Sequence, residues 1–251
     1  MKAMTLDRSL VALMPGGTVV RPSPLARPPR RPGRFDLHAV SRPARVFTGD
    51  FYTAHADRSG LHVVLGDVAG KGLEAAVVMA MIQEELERWI RGGVQEGPEA
   101  TLFRLQELLK PLLPDNRFAT AVVAHLDRKG ALRLANAGHC APLIARVDGS
   151  AHPVGPTGPV LGILERPRWS SVTTTLAPDE TLLLYSDGLA EARSREGIDF
   201  GETMLASAFL ELAGESGAGA RDVAAGLLEK AGRHAAGTVE DDLTVVVIRR
   251  A

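Results

Sequence analysis

Cysteine is nearly absent: the 251-residue chain carries one, Cys140. No intrachain disulfide can form, so the fold does not depend on an oxidising compartment. Long apolar runs are missing too. The densest, Ala75 to Ile82, breaks off at Gln83-Glu84-Glu85, far short of the roughly 18 residues that a membrane span requires. The N-terminus lacks the apolar core and the small-residue cleavage site of a secretory signal. Net charge is close to zero, at −1, so the chain as a whole offers no basis for binding nucleic acid or membrane. No repeat of fixed period is present. These absences make a cytoplasmic protein the expectation.

What is present is ample for a core: 45% of residues are hydrophobic and 24% charged. The near-neutral balance hides an asymmetry. Residues 1–34 hold seven lysines and arginines against Asp7 alone, a net +6, which leaves −7 for the remainder. Within that segment, residues 21–34 read RPSPLARPPRRPGR, with five prolines and five arginines. Such a stretch cannot pack a core, and residues 1–34 are expected to form a flexible Arg/Pro-rich arm ahead of a domain spanning 35–251. The arm is too short and too proline-rich for a sensor domain. Regulation is therefore expected from a separate protein, the arm itself or expression level.

Beyond Phe35 the periodicity changes along the chain. Leu61 to Leu65 is strand-like and ends at Gly66-Asp67. Leu73 to Ile90 has helical spacing and stops at Gly92-Gly93, and Pro98 to Leu113 reads as a second helix with proline in its first turn. Strand patterns follow at Phe118–Leu126, Ala131–Asn136, Pro142–Val147, Ser171–Leu176 and Thr181–Tyr185. Helical stretches occupy Gly201–Ala213 and Ala220–His234, and Leu243–Ile248 is the last strand. Consecutive strands without intervening helices predict an α+β fold of antiparallel sheets with helices packed outside, and argue against a doubly wound parallel sheet. The stretch holding Val77, Met79, Met81 and Ile82 reads as core, with an interaction face as the alternative.

Four places share one local grammar, an aspartate at a strand end, mostly beside glycine. They are Gly49-Asp50, Gly66-Asp67, Asp187-Gly188 and Asp241-Asp242. At a strand end a carboxylate leaves the sheet without burying its charge, and glycine permits close approach. An Asp-Gly pair alone is usually a turn. Four carboxylates converging on one spot repel one another unless cations neutralise them, and hard oxygen donors suit magnesium or manganese better than zinc.

The segments GDFYT (49–53), GDVAGKG (66–72), NAGH (136–139), GPVLGI (158–163), SDGLAEAR (186–193) and DDLTVVVI (241–248) occur in an order that resembles bacterial metal-dependent, type 2C-like Ser/Thr protein phosphatases. The likeness is to the branch of stage II sporulation protein E and the sigma-B regulator phosphatases, and it covers about 35–249. It implies an α-β-β-α sandwich of two antiparallel sheets flanked by helices, and a centre of two divalent cations, Mn2+ or Mg2+. By motif position, Asp67 would bridge both ions, Val68 would offer its backbone carbonyl, and Asp50 would bind on the same side mainly through water. Asp187 and Asp241 would hold the other ion, with Asp242 just behind them or itself a ligand. The implied chemistry is attack of a metal-activated water on phosphoserine or phosphothreonine, with no phosphoenzyme. The implied substrate is a phosphorylated regulatory protein, such as an anti-sigma-factor antagonist. Two departures, Thr48 for a glycine and Thr53 for an acid, remove no ligand. Arg45, shortly before the first aspartate, is the candidate for contacting substrate phosphate, against the alternative of a solvated arginine.

Rival readings exist. His139-Cys140-Ala141-Pro142-Leu143-Ile144-Ala145-Arg146 matches the HCx5R pattern of cysteine-dependent phosphatases. That chemistry needs a thiolate cradled at a helix N-terminus, whereas the following residues lack glycine and look like a strand, which favours Cys140 as a small buried hydrophobe and His139 as a structural member of its turn. GDVAGKG fails as a nucleotide loop because Leu65 stands where the first glycine belongs and Gly72 replaces the metal-binding Ser/Thr. Lys71 faces either substrate or solvent. A catalytically inactive binding module on the same fold stays open, although no candidate aspartate is lost.

Overall fold

Antiparallel strand pairing builds both halves of the molecule, mostly between near neighbours in sequence in one sheet and across long separations in the other. The computed structural model describes residues 12–13, 19–20, 35–44, 48–70, 73–91, 96–113, 117–236 and 240–251. In chain order these form β1 (Ala12–Leu13), β2 (Val19–Val20), β3 (Phe35–Arg42), β4 (Asp50–Ala56), β5 (Gly60–Val68), α1 (Leu73–Arg91), α2 (Pro98–Leu109), β6 (Ala119–Asp127), β7 (Ala131–Ala137), β8 (Leu143–Ala145), β9 (Ala151–Pro153), β10 (Val172–Thr175), β11 (Thr181–Tyr185), α3 (Asp187–Ala190), α4 (Gly201–Gly214), α5 (Ala220–His234) and β12 (Leu243–Arg250). One five-stranded sheet runs β10-β7-β6-β5-β4 and the other β3-β12-β11-β8-β9, with every neighbouring pair antiparallel. Of residues 1–34, only the two-residue strands β1 and β2 are described, paired antiparallel. The Arg/Pro-rich stretch 21–34 lies outside the described residues.

The layers follow from strand alternation. In β5, Leu61, Val63 and Leu65 face the second sheet and meet Ile144, Leu182, Leu184, Val246 and Ile248. The intervening Val64 and Val68 face the other way, with Phe51 and Val123, onto Met79, Ile82, Leu86, Leu102 and Leu105 of α1 and α2. Both faces of β5 are covered, which is why it reads as a continuous apolar run rather than an alternating one. On the far side, Leu183, Tyr185, Val245 and Val247 pack against Leu205, Phe209, Val223 and Leu227 of α4 and α5. The result is the α-β-β-α order, with each fully buried leucine contributing roughly 1.5–3 kcal/mol.

Several boundaries differ from expectation. Helix α2 begins at Pro98 as its sequence requires but closes at Leu109, where Leu112 N–H and Leu113 N–H both turn back to the Leu109 carbonyl, each at 2.9 Å. Strand β8 is shorter than its apolar pattern, and β12 runs on to Arg250. The Ala75–Ile82 stretch divides by face: Met79 and Ile82 are buried, while Val77 and Met81 are exposed. Among the described residues, no helix is long and apolar enough to cross a membrane.

Candidate functional site

The two sheets bring their aspartates to one edge of the sandwich. Asp50 opens β4 and Asp67 lies near the close of β5, and the two are direct partners across the antiparallel ladder. Asp50 is therefore at a strand start, not a strand end, and antiparallel pairing is what returns it to Asp67. Alternation turns Asp67 to the same side as Val63 and Leu65, toward the seam between the sheets. The second sheet repeats the device. Asp187 follows β11 and Asp241 precedes β12, and those strands are antiparallel partners with Tyr185 opposite Val245.

Ser186 ties the second pair together. Its N–H donates to the Thr244 carbonyl at 3.0 Å, its hydroxyl donates to the Asp242 carbonyl at 3.0 Å, and it accepts from Thr244 N–H at 2.9 Å. Asp242 does different work. Its carboxylate accepts Ala44 N–H at 2.8 Å and Gly49 N–H at 3.2 Å, so it caps the turn that leads into Asp50. Gly49 in turn lies against Asp67. A Cβ at position 49 would stand 2.5 Å from Asp67 Oδ1 and 2.9 Å from the Val68 carbonyl oxygen. Any side chain there would fill the space beside the two groups.

The electrostatics are those of crowded acids, with Asp50 buried, Asp67 half-buried and Asp187 open to solvent on one side. The Asp67 carboxyl is pushed up to about 7, first by burial and then by Asp187, Asp241 and Asp242. Asp50 is pushed well above the usual carboxylate range by burial and by Asp67, against a lowering from the Thr244 hydroxyl that donates to its Oδ2. Asp187 is raised by burial and by Asp241. Among the described residues no three acidic, histidine or cysteine side chains converge tightly enough to enclose one ion. The aspartates are neighbours that repel.

The remaining candidates are placed as follows. Arg45 and Lys71 lie outside the described residues. Cys140 is half-buried, and burial, then Asp187, pushes its thiol up to about 12, the opposite of an activated nucleophile. Arg146, the other end of the HCx5R pattern, is committed to Glu180 at 2.7 Å, the Thr175 carbonyl at 2.6 Å and the Thr174 hydroxyl at 3.1 Å. Leu143–Ala145 between them is strand β8, not a helix N-terminus, so the cysteine reading fails on geometry. His139 is structural: it exchanges hydrogen bonds with Asn136 at 2.8 and 3.1 Å, and its Nδ1 meets the Thr120 hydroxyl at 2.8 Å. Burial pushes its imidazole down to about 4. Sequence reading gave no role to Thr244, the buried hydroxyl on Asp50, though it is the last residue of the DDLT run. It also passed over Glu191, a further acid raised by burial and then by Asp187 and Asp241.

Comparison with known proteins agrees with this architecture. A family model described as stage II sporulation protein E (SpoIIE) matches residues 57–251. Phosphoserine phosphatase RsbU of Bacillus subtilis is 27% identical over 165 residues, covering 65% of this chain and 49% of that protein. Protein IcfG of Synechocystis is 28% identical over 199 residues, covering 68% of this chain and 31% of that protein. The chain thus spans half or less of the length of these relatives. Among solved structures, the RsbU and RsbW domains of Rv1364c from Mycobacterium tuberculosis superpose with a TM-score of 0.73 at 28% identity, covering 86% of this chain and 60% of that one. The SiaA-PP2C domain of Pseudomonas aeruginosa, at 20% identity and a TM-score of 0.74, covers 86% of this chain and 85% of its own and shares the fold. The family match covers most of the chain, in line with the two-sheet sandwich: this chain belongs to the SpoIIE family.

Proposed function

We propose that the chain is a metal-dependent protein phosphatase that hydrolyses phosphoserine or phosphothreonine on a regulatory protein. The observation that carries this is Asp67, a half-buried carboxyl paired with Asp50 across the ladder and raised to about 7 by desolvation and by aspartates delivered from the other sheet. Such a cluster suits divalent cations, and its all-oxygen donor set suits manganese or magnesium. When bound, two such ions bring a water to the hydroxide state near neutral pH and clamp the phosphoryl group. Asp67 would lie between the two positions, with the Val68 carbonyl and Asp50 on one side and Asp187 and Asp241 on the other. Asp242 would act from behind, because both of its oxygens already hold the turn at Ala44 and Gly49. The Thr244 hydroxyl donates to one oxygen of Asp50 and so fixes that carboxylate in place.

A phosphorylated anti-sigma-factor antagonist, or a similar small domain, is the proposed substrate, supported by the family membership and by a relative named phosphoserine phosphatase. Control by a separate regulatory protein is proposed on the same ground. The test is hydrolysis of p-nitrophenyl phosphate and of a phosphoserine protein with Mn2+, then with chelator, beside Asp67→Asn and Cys140→Ser. Activity should require Mn2+, vanish in Asp67→Asn and persist in Cys140→Ser. Activity that survives chelator and Asp67→Asn but dies in Cys140→Ser would sink the metal reading. Retained partner binding with no hydrolysis under any condition would make the chain an inactive binding module.

A further inference from the structure

The peptide after Asp67 is gripped from outside the cluster. Ala69 N–H donates to the Phe118 carbonyl at 2.9 Å, and the Ala69 carbonyl accepts from Arg117 Nη1 at 3.1 Å. Two consecutive residues thus hold the peptide planes on both sides of Ala69. The first of those planes contains the Val68 carbonyl. In a trans peptide the C=O and the following N–H point in opposite directions. Tying Ala69 N–H to Phe118 therefore turns the Val68 carbonyl away from β6, and its oxygen lies beside Gly49. Val68 N–H completes the frame by donating to the Gly49 carbonyl at 3.2 Å.

Arg117 is set on a firm base and has room made for it. Ala119 and Leu161 exchange two backbone hydrogen bonds, at 3.0 and 2.8 Å. The buried Gln106 amide then holds Gly162 N–H at 2.8 Å and the Leu164 carbonyl at 2.9 Å. Across from it, Gly70 has φ +126°, and a Cβ there would fall 2.0 Å from Arg117 Nη1. Only glycine adopts that backbone readily and leaves the space the guanidinium occupies.

We propose that Arg117 is a positioning residue for the metal centre, fixing the turn at Ala69 so that the Val68 carbonyl stays aimed at the ion beside Gly49. This rests on the metal reading above. Its sign is distinctive. A guanidinium that mattered only as a charge near a cation site would weaken ion binding, and its removal would tighten it. A guanidinium that aims a ligand does the reverse, in the way that groups orienting metal ligands do, where loss typically weakens affinity about 10–100-fold.

The test is calorimetric titration of Mn2+ into chelator-stripped protein for the unaltered chain, Arg117→Ala and Arg117→Lys. Arg117→Ala should weaken Mn2+ binding about tenfold, toward the low end because the contact is exposed. Arg117→Lys should recover part of that loss. The phosphoprotein KM at saturating Mn2+ should stay within about twofold, and the thermal midpoint of the stripped protein should not move, which separates aiming from folding. Equal or tighter Mn2+ binding by Arg117→Ala overturns the proposal, as does a raised KM with unchanged Mn2+ affinity, which would make Arg117 a substrate contact. Absence of Mn2+ binding by the unaltered chain overturns the metal reading and this inference with it.

Discussion

Strands β4 and β5 carry titratable groups at both ends, joined at one end by His125 of β6, and the two ends handle burial in opposite ways. At one end stand Asp50 and Asp67, whose carboxyls burial pushes up. About 17 Å away, five residues along β5 at ~3.4 Å each, His55, His62 and His125 form a row of cross-strand partners. Alternation places this row on the helix-covered face, away from the seam that Asp67 faces. The rings of His62 and His125 meet edge to face with centroids 4.4 Å apart. Burial pushes His62 down and, helped by His62 and Arg133, pushes His125 down to about 3. Desolvation drives every group toward neutrality. His62 and His125 reach it by losing a proton and can remain so at pH 7. The aspartates reach it only by gaining a proton or a cation, so one end is at rest and the other is poised to bind.

The largest effect expected from this contrast is a split between function and stability at Asp67. Asp67→Asn should abolish hydrolysis and Mn2+ binding. The metal-free protein should nevertheless become more stable near pH 7, because a half-buried charge among like charges is removed. The thermal midpoint should rise by about 2–4 °C for each kcal/mol relieved. The sign follows from linkage: the raised folded pKa of Asp67 means its contribution to stability is present below its unfolded value and lost as pH rises toward about 7. A lower midpoint for Asp67→Asn in chelator would break the comparison, since it would show a carboxylate that stabilises the fold without any cation. Next in size is Asp242→Ala, which frees Ala44 N–H and Gly49 N–H. It should weaken Mn2+ activation roughly 10–100-fold, as loss of support behind a ligand does, with kcat at saturating Mn2+ less affected.

The histidine end should report with the opposite pH sign. A depressed folded pKa gives stability that is present above the unfolded value of about 6.5 and lost as pH falls toward the folded one. Urea unfolding of the unaltered chain and His125→Gln, each at about pH 7 and about pH 4.5, isolates this group. The variant should lose less stability on acidification, by on the order of 2 kcal/mol, because unfolding no longer takes up that proton. Identical pH slopes would mean that His125 is not held neutral by its surroundings.

How much of this was legible in the sequence depended on the range of the contact. The layered α+β order followed from consecutive strand patterns, and β5 and β6 were found because both their faces are apolar. Strand β3 was not delimited. Its residues, FDLHAVSR, alternate poorly, and its partner is β12, with Val40 opposite Val245, about 200 positions away. The four aspartates were visible as acid at strand edges, but their convergence was not, because it depends on antiparallel returns that only the register fixes. The DDLT run showed two adjacent aspartates without separating them. What separates them is that Asp242 meets the N–H groups of Ala44 and Gly49, residues nearly 200 positions earlier. The HCx5R match failed for the converse reason. The spacing is local and correct, but Arg146 points to Glu180 and strand β10, which no local pattern reveals.

The smallest expected effect sharpens the contrast from the inert side. Asp57 closes the turn beside the histidine row, accepting Ser59 N–H at 2.7 Å, the Ser59 hydroxyl at 2.6 Å and Gly60 N–H at 3.2 Å. It also lies 3.4 Å from His62 Nε2. These bonds hold its carboxyl below the usual range although burial acts the other way, so this acid is fully charged where Asp67 is not. Asp57→Asn keeps the size and one acceptor, and it removes a charge that favours protonated His62. The loss of stability should be about 0.5–1 kcal/mol, because the contacts are partly exposed and one net hydrogen bond contributes about that much. Mn2+ affinity and hydrolysis should not change, since the substitution lies at the far end of β4 and β5. A change in Mn2+ affinity would show that the two ends of these strands are coupled through the ladder, and that the histidine row is part of the device rather than its resting counterpart.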